Sequence, residues 1–85
     1  MSSVLVVKVF REDTRQTVSG IRVTVSGGYG EKYTDGNGKA VFELPDGVNY
    51  VDVYVNGSHV KNHDITKGDL MPLVSPSGYY TGRTL

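Results

Sequence analysis

Between residues 17 and 57 the chain repeats one device: a run of alternating residues closed by a short cluster of Gly, Asn, Asp or Pro. Ile21, Val23 and Val25 alternate with Arg22, Thr24 and Ser26. Ala40, Phe42 and Leu44 alternate with Lys39, Val41 and Glu43, and Val51, Val53 and Val55 with Tyr50, Asp52 and Tyr54. A period of two sends every second side chain to one face of a strand, so each run reads as a strand buried on one side. Asp35-Gly36-Asn37-Gly38, Pro45-Asp46-Gly47 and Asn56-Gly57 separate the runs. Such clusters tolerate the positive φ angles of tight hairpins. No helical period persists. Turn signals come about every 8–12 residues, the spacing of an all-β sandwich or barrel.

The flanks fit the same plan less sharply. Leu5, Val7 and Val9 share one face of a first strand, and Val4, Val6 and Phe10 the other. Two apolar faces predict a strand covered on both sides. Residues 11–17 are a polar loop. Gly27, Gly28 and Gly30 surround Tyr29 and break the pattern, and a short strand follows over 31–34. His59 to Ile65 is a strand with poor alternation, and Lys67-Gly68-Asp69 a turn. Leu70 to Val74 is apolar but carries Pro72, which confines it to an edge or a bulge. Residues 75–78 form a loop, and 79–85 a last strand.

The 85 residues make one domain, 1–85. A chain of this size buries only about 60–65% of its unfolded surface, so the core is thin. There is no cysteine to staple it. Nine basic and nine acidic residues balance, which argues against the basic footprint of a nucleic-acid binder. A neutral surface also resists association weakly. MSSVLVVKVF lacks the form of a signal peptide, because Lys8 interrupts a short apolar run. No stretch approaches the roughly 20 apolar residues of a membrane helix. The expectation is a cytoplasmic chain or a fragment of an exported one.

TVSGIRVTVSG (17–27), YTDGNGKAVFELPDG (33–47) and YVDVYVNG (50–57), in that order after an apolar first strand, resemble the transthyretin-like (prealbumin-like) sandwich. Carboxypeptidase regulatory-like domains and the stalk domains of bacterial adhesins are similar. The resemblance covers residues 4–57 and implies an all-β fold, a small transthyretin-like (Ig-like) β-sandwich of about seven strands. Functionally it implies a stalk, linker, sugar binder or assembly adaptor, since one fold serves many sites. Adhesin domains with an intramolecular isopeptide bond place a Lys in the first strand, an acid in a middle strand and Asn or Asp in the last. Lys8 and Asp52 match the first two places, and YYTGRTL has no Asn or Asp for the third. The tail PLVSPSGYYTGRT (72–84) is similar to that of 5-hydroxyisourate hydrolase, the enzyme on this fold. Where that family carries its first-strand His this chain has Lys8, and where it carries its hairpin Arg it has Lys39. The second His falls on Asp69 or Leu70; the tail Arg is kept as Arg83, after Gly82 in place of Tyr. Proton transfer near neutral pH needs a group of suitable pKa, which these positions lack.

Three local clusters bear on function. His59, His63 and Asp64 have a helical metal-site spacing. In a strand, residues four apart lie roughly 13 Å apart, so solvated histidines are expected. Asp35, Asn37 and Gly38 echo a calcium loop but fit a hairpin turn. Tyrosine is enriched, with six residues. Tyr50 and Tyr54 fall on one strand face, and Tyr29 sits in the glycine-rich loop. Aromatic rings with a hydroxyl suit a protein interface or stacking on sugars. Tyr29, Tyr50 and Tyr54 are therefore the candidate binding residues, with no catalytic residue, metal ligand or cofactor assigned. The expected function is a non-catalytic protein-binding or assembly module, within a surface or secretion assembly, engaging a protein partner or a second copy. The alternatives are a hydroxyisourate hydrolase-related enzyme and a carbohydrate-binding accessory domain.

Overall fold

The computed structural model describes residues 3–85. Its strands are β1 (Ser3–Lys8), β2 (Phe10–Arg11), β3 (Arg22–Val25), β4 (Glu31–Tyr33), β5 (Lys39–Leu44), β6 (Tyr50–Val55), β7 (Ser58–Asp64), β8 (Pro72–Val74) and β9 (Tyr80–Thr84). A 3-10 turn at Ile65–Lys67 follows β7. One layer has the order β4-β3-β6-β7, antiparallel throughout. In the other, β1 pairs with β5 antiparallel, and β2-β8-β9 continues the layer through a parallel β2–β8 contact. β1 and β2 are one strand broken at Val9. A parallel bridge between Val7 and Leu70 joins the two halves of that layer.

The alternating runs do what their period dictates. Leu5, Val7, Val9, Ala40, Phe42, Leu44, Leu70 and Val74 from one layer meet Ile21, Val23, Val25, Val51, Val53 and Val55 from the other in a single core. The first strand departs from expectation. Its Leu5, Val7 and Val9 are buried, but Val4 is 56% exposed and Val6 only partly covered. Toward its end that outer face is partly covered, with Lys8 over the Phe10 ring, but at Val4 it is open to solvent, so the strand is fully covered on one side, not two. Valine remains there because a β-branched side chain suits a pleated surface even half in water.

Pro72 is not at an edge: β8 lies between β2 and β9. Leu70 donates to the Val6 carbonyl and accepts from Lys8 N–H, at 3.0 and 2.8 Å. Two residues on, the ladder needs another donor, and proline has none. The break at Val9 falls there, and the β8–β9 register shifts between Pro72 and Val74. The extra residues at that shift lie on β9, which takes four steps from Thr84 to Tyr80 while β8 takes two from Pro72 to Val74. Val9 turns its backbone elsewhere, donating to the Gly38 carbonyl (2.8 Å) and accepting from Val18 N–H (3.0 Å). Gly38 holds φ +77°, and a Cβ there would lie 2.8 Å from Thr17 Cβ, so this turn requires glycine.

Thr34 is the polar pin of the β3–β4 corner. Its buried hydroxyl donates to the Val18 carbonyl (2.7 Å) and accepts from Ile21 N–H (3.0 Å). Replacing it with the isosteric valine strands both groups in a dry site. Thr34→Val should lower stability by about 1–3 kcal/mol in urea titration. Thr34→Ser, which keeps the hydroxyl, should lose distinctly less.

Candidate interaction face

Every second residue of β6 that avoids the core lands on the outer face of the β4-β3-β6-β7 sheet. This places Tyr50, Asp52 and Tyr54 in a row on a central strand. Tyr54 stands opposite Thr24 on β3 and His59 on β7. The Tyr54 and His59 rings are 5.2 Å apart at 59°, within the range where tilted aromatic pairs attract. His59 Nε2 donates to Asp52 Oδ1 at 3.0 Å, and Asn62 Nδ2 reaches the same oxygen at 3.5 Å. Asp52 is held from behind by a reciprocal contact: its N–H donates to Ser26 Oγ (2.9 Å) and its carbonyl accepts from Ser26 N–H (3.0 Å). Across β3, Arg22 and Tyr33 face each other, and Arg22 approaches Glu31 at 3.9 Å. The result is a solvent-facing surface with an orientated aromatic–imidazole–carboxylate group at its centre.

The candidate tyrosines divide. Tyr50 is 60% exposed and Tyr54 partly covered by its neighbours, both on this face. Tyr29 is half-buried and packs against the core. Its ring lies over Gly27, where a Cβ would come within 2.7 Å of Tyr29 Cε2. The ring therefore anchors the glycine-rich loop to the sandwich.

The two histidines do not behave alike, which corrects the expectation that both are solvated. His63 is 4% exposed, and its Nε2 donates to the Gly68 carbonyl at 2.8 Å. Four residues apart on a regular strand would share a face. The β6–β7 register, however, shifts between Val53 and Tyr54, leaving Val60 as the extra residue of a bulge. His59 consequently faces outward beside Tyr54, while His63, opposite Val51, faces the core. Asp64 is engaged too. Its carboxylate accepts from the Thr66 hydroxyl (2.7 Å) and N–H (2.9 Å), and the hydroxyl bond first, then the backbone bond, hold its pKa below the usual carboxylate value. Among the described residues no group of three His, Asp or Glu is placed to hold a metal ion, and no pocket is enclosed.

The places drawn from the family resemblances also have definite positions. Lys8 lies on the outer face of the β1–β5 pair, its Nζ 5.4 Å from the Phe10 ring centre. Asp52 is on the outer face of the opposite layer, so the whole sandwich separates the two. Lys8 and Lys39 are direct cross-strand partners. Asp69 is exposed, Leu70 is buried in the core, and Arg83 is exposed on β9.

Asp35, from the calcium-like turn, is also committed to backbone. Its Oδ1 accepts from Asn37 N–H (2.8 Å) and Lys39 N–H (3.0 Å), closing the β4–β5 turn. The Lys39 bond, then the Asn37 bond, lower its pKa from the ordinary 3.8. A carboxyl with a depressed folded pKa stabilises the fold above its unfolded value, near 4, and loses that contribution as pH falls through the folded value. Asp35→Asn should be less stable than the parent at pH 7, and the gap between the two should close below about pH 4. Thermal melting across that range checks it. A gap that stays constant to pH 2 would show that the carboxylate charge plays no part.

Comparison with family models, with curated proteins and with solved structures finds no match.

Proposed function

We propose that this domain is a non-catalytic protein-binding or assembly module on a transthyretin-like sandwich, presenting the β4-β3-β6-β7 face to a protein partner. The observation that carries this reading is the row Tyr50, Asp52 and Tyr54 with His59 beside it. Beside the charged Arg22, Glu31 and Asp52, the face carries two aromatic rings around a hydrogen-bonded centre. Prior ordering of Asp52 and His59 reduces the entropy lost when a partner covers them. Tyrosine supplies contact area at low rotamer cost.

At high micromolar concentration the face should also support weak association of the protein with itself, visible by light scattering after size exclusion. Tyr50→Ser with Tyr54→Ser should reduce partner capture and that association by about tenfold or more, the scale of losing central aromatic anchors. A double variant that keeps every interaction would remove the basis of the proposal.

The hydrolase alternative leads to a different result. Two lysines stand at facing positions where that family uses His and Arg, and neighbouring ammonium groups are poor candidates for its proton transfers. Freshly prepared hydroxyisourate should decay in the presence of the protein no faster than in buffer. Clear acceleration that is lost in Arg83→Ala would establish the enzyme instead.

A further inference from the structure

We infer that β5 is a self-complementary edge through which two copies of this chain join antiparallel about a two-fold axis at Val41. This contact is on the opposite layer from the tyrosine face and does not depend on it.

The argument starts with the four sheet edges. β4 has only three residues, all exposed. β7 carries the bulge at Val60. β9 is shifted in register against β8. Shortness, bulges and charged side chains are among the ways proteins blunt an edge. β5 is neither short nor bulged, running six residues against β1 with an unbroken register, and its two charges, Lys39 and Glu43, are of opposite sign.

The backbone on its open side can be assigned. Val6 and Lys8 direct their backbone groups toward Leu70, and Val9 directs its N–H toward Gly38 and its C=O toward Val18. Alternation then makes Val7–Ala40 and Leu5–Phe42 the hydrogen-bonded pairs of β1 and β5. Val41 and Glu43 consequently point their N–H and C=O groups away from β1, toward the open edge. Lys39 points that way as well, but its N–H and C=O already meet Asp35. The edge therefore begins at Val41.

The side chains select one register. Lys39, Val41 and Glu43 are all exposed, while Ala40, Phe42 and Leu44 enter the core. Pairing β5 with its own copy about Val41 sets Val41 opposite Val41, and Lys39 opposite Glu43 on both sides. A shift that centres on Glu43 would oppose two carboxylates. Within one chain Lys8 already faces Lys39, and like charges directly opposite are destabilising. The partner's Glu43 would sit on the far side of Lys39 and offset that repulsion. The partner's Val41 would extend the Val6–Val41 row into a four-valine stripe and cover surface that is 42% exposed at Val41. A two-fold contact must be self-complementary, and this strand meets that condition in charge and apolar contact; the backbone adds one reciprocally bonded pair, Val41 with Val41, because Lys39, which would face Glu43, already bonds Asp35.

One strand pair buries little area, so the dimer is weak, with a Kd on the order of 0.1–1 mM. The test is analytical ultracentrifugation at about that concentration, in the Tyr50→Ser/Tyr54→Ser background so that the tyrosine face does not contribute. Glu43→Lys alone and Lys39→Glu alone should each weaken association by about tenfold or more, because two attractive pairs become repulsive. Mixing those two variants should restore a dimer, as should the charge swap Lys39→Glu/Glu43→Lys. Added salt should weaken the parent dimer and strengthen Glu43→Lys. That series stays informative even if Lys39→Glu, which lies beside Asp35, fails to fold. The Val41 amide should exchange slowly with solvent only at dimer-forming concentration. A monomer at millimolar concentration, or association that ignores both charge reversals and salt, overturns the inference. Association lost in the tyrosine background alone assigns self-contact to the tyrosine face and also overturns it.

Discussion

The architecture hangs on one long-range contact, the parallel meeting of the first strand with the Leu70–Val74 segment. Leu70 exchanges hydrogen bonds with Val6 and Lys8, which lie more than sixty residues earlier in the chain. The remaining strand pairs are antiparallel and mostly hairpins, which local turns can close. The parallel contact makes β1 a central strand and leaves β5 and β9 as the edges of its layer. It also brings Leu70 and Val74 into the core, and without them that layer would cover only part of the opposite sheet. The cost shows at Pro72, which cannot donate. The chain accommodates it with a break at Val9, and the Val9 backbone is satisfied by Gly38 and Val18 instead; β9 shifts its register alongside.

What could be read in the sequence follows from how local the cause was. The inward rows of β3, β5 and β6 follow from period two alone, and all nine residues named for them are buried. Asn56-Gly57 is the two-residue turn its composition implies, with φ of +48° and +82°. The failures are cases where a partner distant in sequence decides. Val4 and Val6 look like core residues, but whether anything covers their outward face is a matter of layer count, which no local pattern carries. Pro72 was not legible as a central residue, because its neighbours come from residues 6–11 and 80–84. His63 was hidden by a bulge: one inserted residue at Val60 reverses the face of everything after it. The weak alternation across 59–65 was the only trace of that event.

The candidate face was legible in part for the same reason. Tyr50 and Tyr54 are four residues, or two full periods, apart on a strand whose inward row is unmistakable, so their shared face follows. Tyr29 lay in a loop, where no period applies, and tertiary packing over Gly27 decided its role. His59 is a central member of the face, yet nothing local connects it to Tyr54. Pairing brings them together, and the Asp52 contact fixes the ring. Residue type could have flagged Asp52 and His59 as partners, but only a strand register could have placed them.

The two outer faces differ in chemistry, and the difference has a geometric consequence. One carries tyrosine, histidine and carboxylate; the other carries valine rows flanked by Lys8, Lys39 and Glu43. In an antiparallel strand pair that continues a sheet, the two-fold axis runs through the sheet from face to face. Both copies then show the same side of the joined layer in one direction. With β5 as that joint, the two valine faces look one way, and the two tyrosine faces, on the opposite layer, look the other. A dimer so made presents a pair of identical faces to a single surface. For a partner with repeated sites, the second contact becomes intramolecular, and avidity can exceed the affinity of one face by about 10²–10⁴. A weak joint is sufficient for this, because an extended partner that engages both faces also holds the two copies together. The thin, net-neutral sandwich can then gain binding strength without a larger core, provided its one regular edge stays open to its own copy.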